Sequence, residues 1–559
     1  MGRKIVVIGL DGATFDIIKP LINKGKLPII ASLISEGVSG ELQSTLPPIS
    51  SAAWTSFLTG MNPGKHGIFH FLIRRPDGHG FSLCNSQDIQ TRTIFSNISA
   101  KGKNIGAINI PMTYPPEKIN GFIVSGIPVP PGARDYTYPH SLLGDINKEI
   151  GGYIVDYDFS FMNNHHNVPV DDFRKYEHLL EKLKEIEYQR LKTTLFLMER
   201  YPCDAFVVVL TLLDRVQHYF WRFMDKRHAG YTEEGARRFG QVIFDCYKKM
   251  DEAIGKIVTS LGKDTTFIIM SDHGAGPHYS DFHVNRWLKD TGWLKMKACP
   301  RLVARRSNIQ RVLTRLGLES ISKKLPASIN SLPIFIPKIK RIMDFQDIEW
   351  SKTQAYSALY GISVNLKGRE TEGIVDPGDE YHKVVEELKA RLYQLANPQT
   401  GERVVERVLE RNEIYAGPYS KHGPDLLFQV KGVSCVPSDS YNATSWFESR
   451  VNHAISGTHR MNGIFVMKGE GVKKNTELQN LHIIDVAPTI LYLLHIPIPK
   501  EMDGRVIAEA FTPEFLGKHD IKFSEDSYSE RGTREEGSPY STEEEHALKE
   551  SLKGLGYLS

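Results

Sequence analysis

Four short stretches, residues 5–10, 105–110, 205–212 and 266–270, are apolar in continuous, β-branched-rich runs rather than in alternation. A strand with one face in water alternates apolar and polar side chains, whereas a strand covered on both faces does not. Such runs suit a mostly parallel sheet sandwiched by helices. Segments with helical spacing, 171–200 and 232–262 among them, fall between the runs. Strand and helix therefore alternate as in a large α/β fold, and 559 residues with 41% hydrophobic side chains suffice for its core.

The residues at the ends of three of these runs point toward chemistry. Leu10 leads into Asp11-Gly12, Leu212 is soon succeeded by Asp214, and Met270 leads into Ser271-Asp272-His273-Gly274. Ligand sites in open α/β sheets lie beyond the carboxyl ends of the strands, so the three acids are expected to converge on one crevice. Asp214 and His218 are spaced i and i+4, one face of a helical turn. Asp272 and His273 are adjacent at a strand end, where neighbouring side chains can address different ions. His459 stands in the glycine-flanked loop SGTHRMNG. Carboxylate and imidazole together suit zinc and similar ions. Each piece alone has an ordinary reading as a turn or capping residue; the whole set around one hydroxyl-rich stretch does not.

That stretch, PPISSAAWTSFLTG, carries Ser50, Ser51, Thr55, Ser56 and Thr59. Pro47-Pro48 forces an extended approach, so a helix is expected from about Ser50 or Ser51. Thr55 and Ser56 fall inside it, where hydroxyls bond back to a carbonyl one turn earlier, and Thr59 precedes the stop at Gly60. Ser50 and Ser51 remain at the end where free N–H groups and the dipole favour anions. Helix geometry leaves these two at even odds.

Bulk composition excludes several classes. Lys and Arg exceed Asp and Glu by three, so no global charge points to nucleic acid. Five scattered cysteines without CxxC spacing argue against a disulfide framework and fit a reducing, cytoplasmic setting. The apolar run 205–213 is about half the length of a membrane span. Segment 295–341 holds twelve Lys/Arg against one acid and is expected to form a basic amphipathic helix, either solvated or facing an anionic surface. After about residue 520 the chain turns acidic, and Ser541 and Glu544 are spaced as a capping box ahead of a short helix ending in LKGLGYL.

Taken together, VIGLDG, PPISSAAWTSFLTGMNPGKHGIF, LLDRVQHYFW, SDHGAG, GTHRMNGIFVMKGEGVK and IIDVAPTILYLLHIPIPKEMDGRVI resemble the type I phosphodiesterase/nucleotide pyrophosphatase family of the alkaline phosphatase superfamily, in its cytoplasmic archaeal and bacterial branch. The resemblance runs from residue 4 to about 510. It implies an alkaline-phosphatase-like catalytic domain over 1–515, with insertions at about 70–170 and 285–440, and then an acidic linker and short helix over 516–559. It implies two divalent ions, zinc with manganese or iron as alternatives. Asp11, Asp272, His273 and the nucleophile oxygen would hold one; Asp214, His218 and His459 the other. The family's nucleophile stands nine residues before the threonine of the helix-ending TG, which selects Ser50 over Ser51.

One departure stands out. The family places a phosphate-binding asparagine shortly after HGI, and Phe71 occupies that position here. The Ser51 backbone N–H, Lys65, His66 and Arg215 are the candidates to meet the phosphate in its stead, and Asn109, His283 and Asn285, outside the motifs, are further candidates for contacting substrate. The expected activity is hydrolysis of a small phosphate ester, a diester or nucleotide type, through a phosphoserine. The alternatives are a monoesterase or phosphotransferase of the same superfamily, and a non-catalytic protein binding anionic surfaces through 295–341.

Overall fold

A computed structural model describes residues 4–75, 80–163, 172–262, 264–297, 303–305, 331–333, 345–398, 401–432, 435–440, 442–451, 453–524 and 537–558. The basic segment 295–341, expected to be helical, lies mostly outside them; apart from 295–297, its described parts are Val303–Arg305 and Ser331–Pro333, which pair as two short antiparallel strands. The acidic stretch 525–536 also lies outside the described residues.

The centre is a nine-stranded sheet. In chain order its strands are β1 (Lys4–Leu10), β2 (Val38–Gln43), β3 (Ile105–Ile108), β4 (Gly121–Val124), β5 (Thr137–Tyr138), β6 (Ala205–Leu210), β7 (Thr265–Met270), β8 (Asn462–Lys468) and β9 (Thr476–His482). Their spatial order is β9-β2-β8-β7-β1-β6-β3-β4-β5. The five strands β7-β1-β6-β3-β4 run parallel, and these include the four continuous apolar runs. Every residue of β6 and β7 is buried, as strands covered on both faces must be. Odd and even positions of β1 feed different cores: Val6 and Ile8 belong to one, Ile5 and Val7 to the other. The antiparallel pairings lie toward the edges, β7–β8 and β8–β2 on one side and β4–β5 on the other.

Register decides where the site falls. Leu10 lies opposite Leu210, and Gly9 opposite Met270, so β1, β6 and β7 end at one level. Asp11 and Asp272 step off two of these ends, and β6 runs through Thr211 into α3, the helix Leu212–Met224, which carries Asp214 and His218. That helix start is held by Glu187 of α2 (Phe173–Arg200), whose Oε2 accepts from the Thr211 and Leu212 N–H groups at 3.2 and 3.1 Å. Buried Arg190 pairs with the same Glu187 and donates to Thr211 Oγ1.

Ser50–Thr59 forms α1. Thr55 and Thr59 bond back to the carbonyls of Ser51 and Thr55 at 2.7 and 2.8 Å. Ser56 departs from that expectation: its hydroxyl meets the His66 ring at 2.9 Å, because the short helix Pro63–His66 folds the imidazole against α1. A separate four-stranded sheet is built from Ala355–Ala358, Gly361–Val364, Val405–Glu410 and Leu426–Val430. Near the other end of the chain the Ser541–Glu544 capping box forms, and α4 (Thr542–Gly554) begins there. Among the described residues no helix is long and apolar enough to cross a membrane.

Candidate metal centre and active site

Gly12 shapes the first part of the centre. Its φ of +71° puts it in the left-handed region, and a Cβ there would lie 3.2 Å from the Asp214 Cα. This close approach sets Asp11 beside Asp214. The Gly12 N–H donates to Asp272 Oδ1 at 3.4 Å, and its carbonyl accepts from Gln217 Nε2 at 2.9 Å. The Tyr247 hydroxyl in turn donates to Gln217 Oε1.

Six side chains then meet as two groups. In one, His273 Nε2 lies 3.3 Å from Asp272 Oδ2, 3.6 Å from Asp11 Oδ1 and 3.1 Å from Ser50 Oγ. In the other, His218 Nε2 lies 3.2 Å from Asp214 Oδ1 and 3.0 Å from His459 Nε2, which is itself 3.4 Å from Asp214 Oδ1. Tetrahedral zinc with bonds of about 2.0–2.1 Å has ligand–ligand edges of about 3.3 Å, and these separations, 3.0 to 3.6 Å, bracket that spacing. His459 arrives because Gly457–Arg460 pairs antiparallel with Gly274–Pro277, setting it opposite Ala275.

The backbone settles how the imidazoles present themselves. Nδ1 of His218 lies 2.9 Å from the Gly457 carbonyl, Nδ1 of His459 2.7 Å from the Pro48 carbonyl, and Nδ1 of His273 2.9 Å from its neighbour's carbonyl at Gly274. A carbonyl only accepts, so each Nδ1 carries the proton and each Nε2 lone pair faces the centre, as metal-binding histidines require. Among the described residues, no hydrogen bond reaches the buried Asp11 Oδ1 and Asp272 Oδ2. Burial, then the neighbouring Asp272 and Asp214, push the Asp11 carboxyl well above its ordinary range. Burial and Asp214 push Asp272 up to about 7. Burial, with His459 beside it, holds His273 well below its ordinary value. Carboxylate oxygens crowded together beside imidazoles whose Nε2 atoms face inward form a donor set that fits divalent cations.

Ser50 is the first residue of α1, and the cap residue Ile49 offers no side chain to the free N–H groups of that end. Trp54, one turn on, donates its indole N–H to Asp11 Oδ2 at 3.3 Å. Ser51 is buried, and its hydroxyl has no hydrogen-bond partner among the described residues. Arg215 reaches the centre: Nη1 lies 3.0 Å from Asp214 Oδ2, and Nη2 3.1 Å from Asp156 Oδ2.

The remaining candidates make their bonds elsewhere. Lys65 pairs with Asp503 at 2.5 Å and donates to the Glu501 carbonyl. His66 engages Ser56, and burial pushes its pKa down to about 3. Asn109 donates to the Val209 carbonyl at 2.9 Å, tying the end of β3 to β6. His283 meets Glu448 at 3.1 Å. Asn285 donates to the Ser357 and Asp439 carbonyls and accepts from the Ser357 N–H, so it pins the helix Val284–Asp290 to the small sheet.

Three neighbours of the centre carry no signal in the sequence pattern: Trp54 reads there as packing alone, and neither Gln217 nor Asp156 stands out. The pattern also leaves the docking place of LKGLGYL open. Tyr557 of that stretch stands at the centre, with its hydroxyl 3.4 Å from Ser50 Oγ. No spacing rule links residues 507 positions apart.

The profile described as type I phosphodiesterase / nucleotide pyrophosphatase matches residues 5–462. The chain belongs to that family. As a type I phosphodiesterase / nucleotide pyrophosphatase family member it is a phosphate-ester hydrolase, and the matched span holds Ser50 and all six candidate ligands. No curated protein matches it. Among solved structures, alkaline phosphatase PafA is 14% identical with a TM-score of 0.50, over 92% of this chain and 99% of that one. The fold is thus of the alkaline phosphatase kind. Phosphonoacetate hydrolase from Sinorhizobium meliloti 1021, in complex with phosphonoacetate, is 14% identical with a TM-score of 0.49, over 88% and 95% of the two chains. Murine ectonucleotide pyrophosphatase / phosphodiesterase 5 is 13% identical with a TM-score of 0.46, over 91% and 100%.

Proposed function

We propose that this family member hydrolyses a phosphodiester or nucleotide-type phosphate ester by a two-step displacement on Ser50, with two divalent ions, zinc in the first instance. What carries the reading is the Ser50 hydroxyl at a helix start, 3.1 Å from His273 Nε2, beside the cluster of Asp11, Asp214, Asp272, His273 and His459, with His218 Nε2 3.2 Å from Asp214 Oδ1. Asp11, Asp272 and His273 would hold one ion with the Ser50 oxygen; Asp214, His218 and His459 would hold the other. Bound there, the ions lower the pKa of the serine hydroxyl and offset phosphoryl charge.

The chain's own groups account for the rest. Ser50 Oγ attacks phosphorus, forming the Oγ–P bond as the bond to the leaving oxygen breaks. The serine proton leaves with the departing alcohol. Water then attacks the serine-bound phosphorus, which still carries the substrate's other ester group; the Oγ–P bond breaks, a proton from the water restores the hydroxyl, and the monoester is the product. The free N–H groups at the start of α1 and the dipole behind them favour the anionic group at that spot. The Pro48, Gly274 and Gly457 carbonyls keep the imidazoles oriented throughout.

Ser50→Ala, assayed on bis(p-nitrophenyl) phosphate with zinc or manganese, tests this reading. The expected result is loss of turnover with metal content retained; wild-type turnover in the variant refutes Ser50 as nucleophile. Running p-nitrophenyl phosphate in parallel separates diester from monoester preference, the alternative that Phe71 in the asparagine position favours.

A further inference from the structure

Three residues beyond α4 the chain delivers Tyr557 to the centre, and several contacts hold it rigidly. Leu548, Leu552, Leu555 and Leu558 are buried in the main core. The Gly554 carbonyl accepts from the Tyr219 hydroxyl of α3. Gly556 turns at φ +85°, passing so close to α3 that a Cβ would lie 3.4 Å from the His218 ring and 3.1 Å from Ile455. Tyr557 itself is 2% exposed. Its ring packs 4.9 Å from the Phe71 ring, and the Arg215 guanidinium lies 5.2 Å from its centroid. Its oxygen is 3.4 Å from Ser50 Oγ, 3.0 Å from Arg215 Nη1 and 3.3 Å from Asp214 Oδ2.

Arg215, which can only donate, donates to the phenolic oxygen, while the Ser50 proton is engaged by His273 Nε2. The phenol's single proton is therefore directed away from Arg215, toward the acceptors Asp214 Oδ2 at 3.3 Å and Ser50 Oγ at 3.4 Å, between which the O–H can rotate. A donor 3.4 Å from Oγ is also within hydrogen-bond reach of an oxygen on a phosphorus bonded to that Oγ. We propose that Tyr557, braced by Arg215, is a catalytic residue that donates to a non-bridging phosphoryl oxygen, the task left open where Phe71 replaces an asparagine. Phe71 and Tyr557 form one unit: the aromatic ring at 71 is the surface on which the ring of Tyr557 rests. The family profile ends at residue 462, so this donor lies outside it. The proposal rests on the reading of Ser50 as nucleophile.

The test uses the full-length, metal-loaded protein. Tyr557→Phe removes only the hydroxyl and keeps the ring on Phe71. It should lower kcat and kcat/KM on bis(p-nitrophenyl) phosphate together by about 10- to 100-fold, as loss of a transition-state donor does. Calorimetric affinity for vanadate, which mimics the five-coordinate phosphorus, should fall similarly, with metal content and melting temperature unchanged. Arg215→Gln is the second variant, and losses in the double variant should be less than the sum of the two, since both act through one hydrogen-bonded unit. Turnover or vanadate affinity at or above the wild-type level in Tyr557→Phe overturns the proposal; faster turnover would make the segment an obstruction instead. Lost metal in Tyr557→Phe also overturns it, since the hydroxyl would then serve Asp214. Ser50→Ala separates the two readings: an active Ser50→Ala protein refutes the nucleophile, whereas an inactive one beside an unimpaired Tyr557→Phe refutes only the donor.

Discussion

Replacing Asp272 by asparagine should make the metal-free protein more stable at alkaline pH. Burial and Asp214 raise the Asp272 carboxyl from 3.8 to about 7. Between those values the folded metal-free protein keeps a proton that the unfolded chain has already released. The folded state binds more protons there, so stability falls as pH rises through the window. The full deficit stands above about pH 7 and is absent below about pH 4; at 1.36 kcal/mol per pKa unit it amounts to about 4 kcal/mol. Asparagine has no such proton, and its oxygen can still accept from the Gly12 N–H. Removing the charge also relieves Asp11, whose carboxyl Asp272 pushes upward. An unfolding entropy of about 2.1 cal/mol/K per residue gives about 1.2 kcal/mol/K for a chain of this length, so about 4 kcal/mol is about 3 °C. Scanning calorimetry of chelator-treated wild type and Asp272→Asn across about pH 4 to 8 reads this difference, and the many other titrating groups cancel between the two proteins. Saturating zinc should reverse the order, because the wild type gains binding energy and the variant has lost a ligand. Parallel curves for the two metal-free proteins, or a less stable variant at high pH, would refute the electrostatic account of this centre.

The geometry carries two further expected outcomes. His218→Ala should lower bound metal from two ions toward one by elemental analysis, because its Nε2 sits within 3.2 Å of both Asp214 and His459 while the group around Asp11 is untouched. Asn285→Ala strands three buried backbone partners, so it should destabilise the protein by about 3 kcal/mol or more, with metal content unchanged and a calorimetric melt shifted down by a few degrees.

The continuous apolar runs announce the parallel core because a strand covered on both faces has no polar side to show. Runs ending in acids also announce where the carboxylates gather, since ligand positions depend on strand direction. His218 is legible through its one-turn spacing from Asp214. Other features are not legible, for different physical reasons. Asn109, Asn285 and His283 look like substrate contacts because polar residues in a core are conspicuous, but each has a scaffold partner in space that linear spacing does not reveal. Helix rules give Ser56 a backbone bond, taking no account of an imidazole folded against it. Tyr557 is invisible because its proximity to Ser50 comes from tertiary packing of α4.

The burial of the six ligands bears on how fast ions exchange. Five of them, Asp11, Asp214, His218, Asp272 and His273, are at most 4% exposed, and the His459 side chain is 12% exposed. A cation seated among them would be largely shielded from solvent, and the segment around Gly556 and Tyr557 packs against His218 and Ser50. Because contacts hold that segment in place, exchange of an ion would require its local opening, and that step would add to the barrier set by the donors themselves. If opening limits exchange, the rate at which a chelator extracts metal should level off as chelator concentration rises.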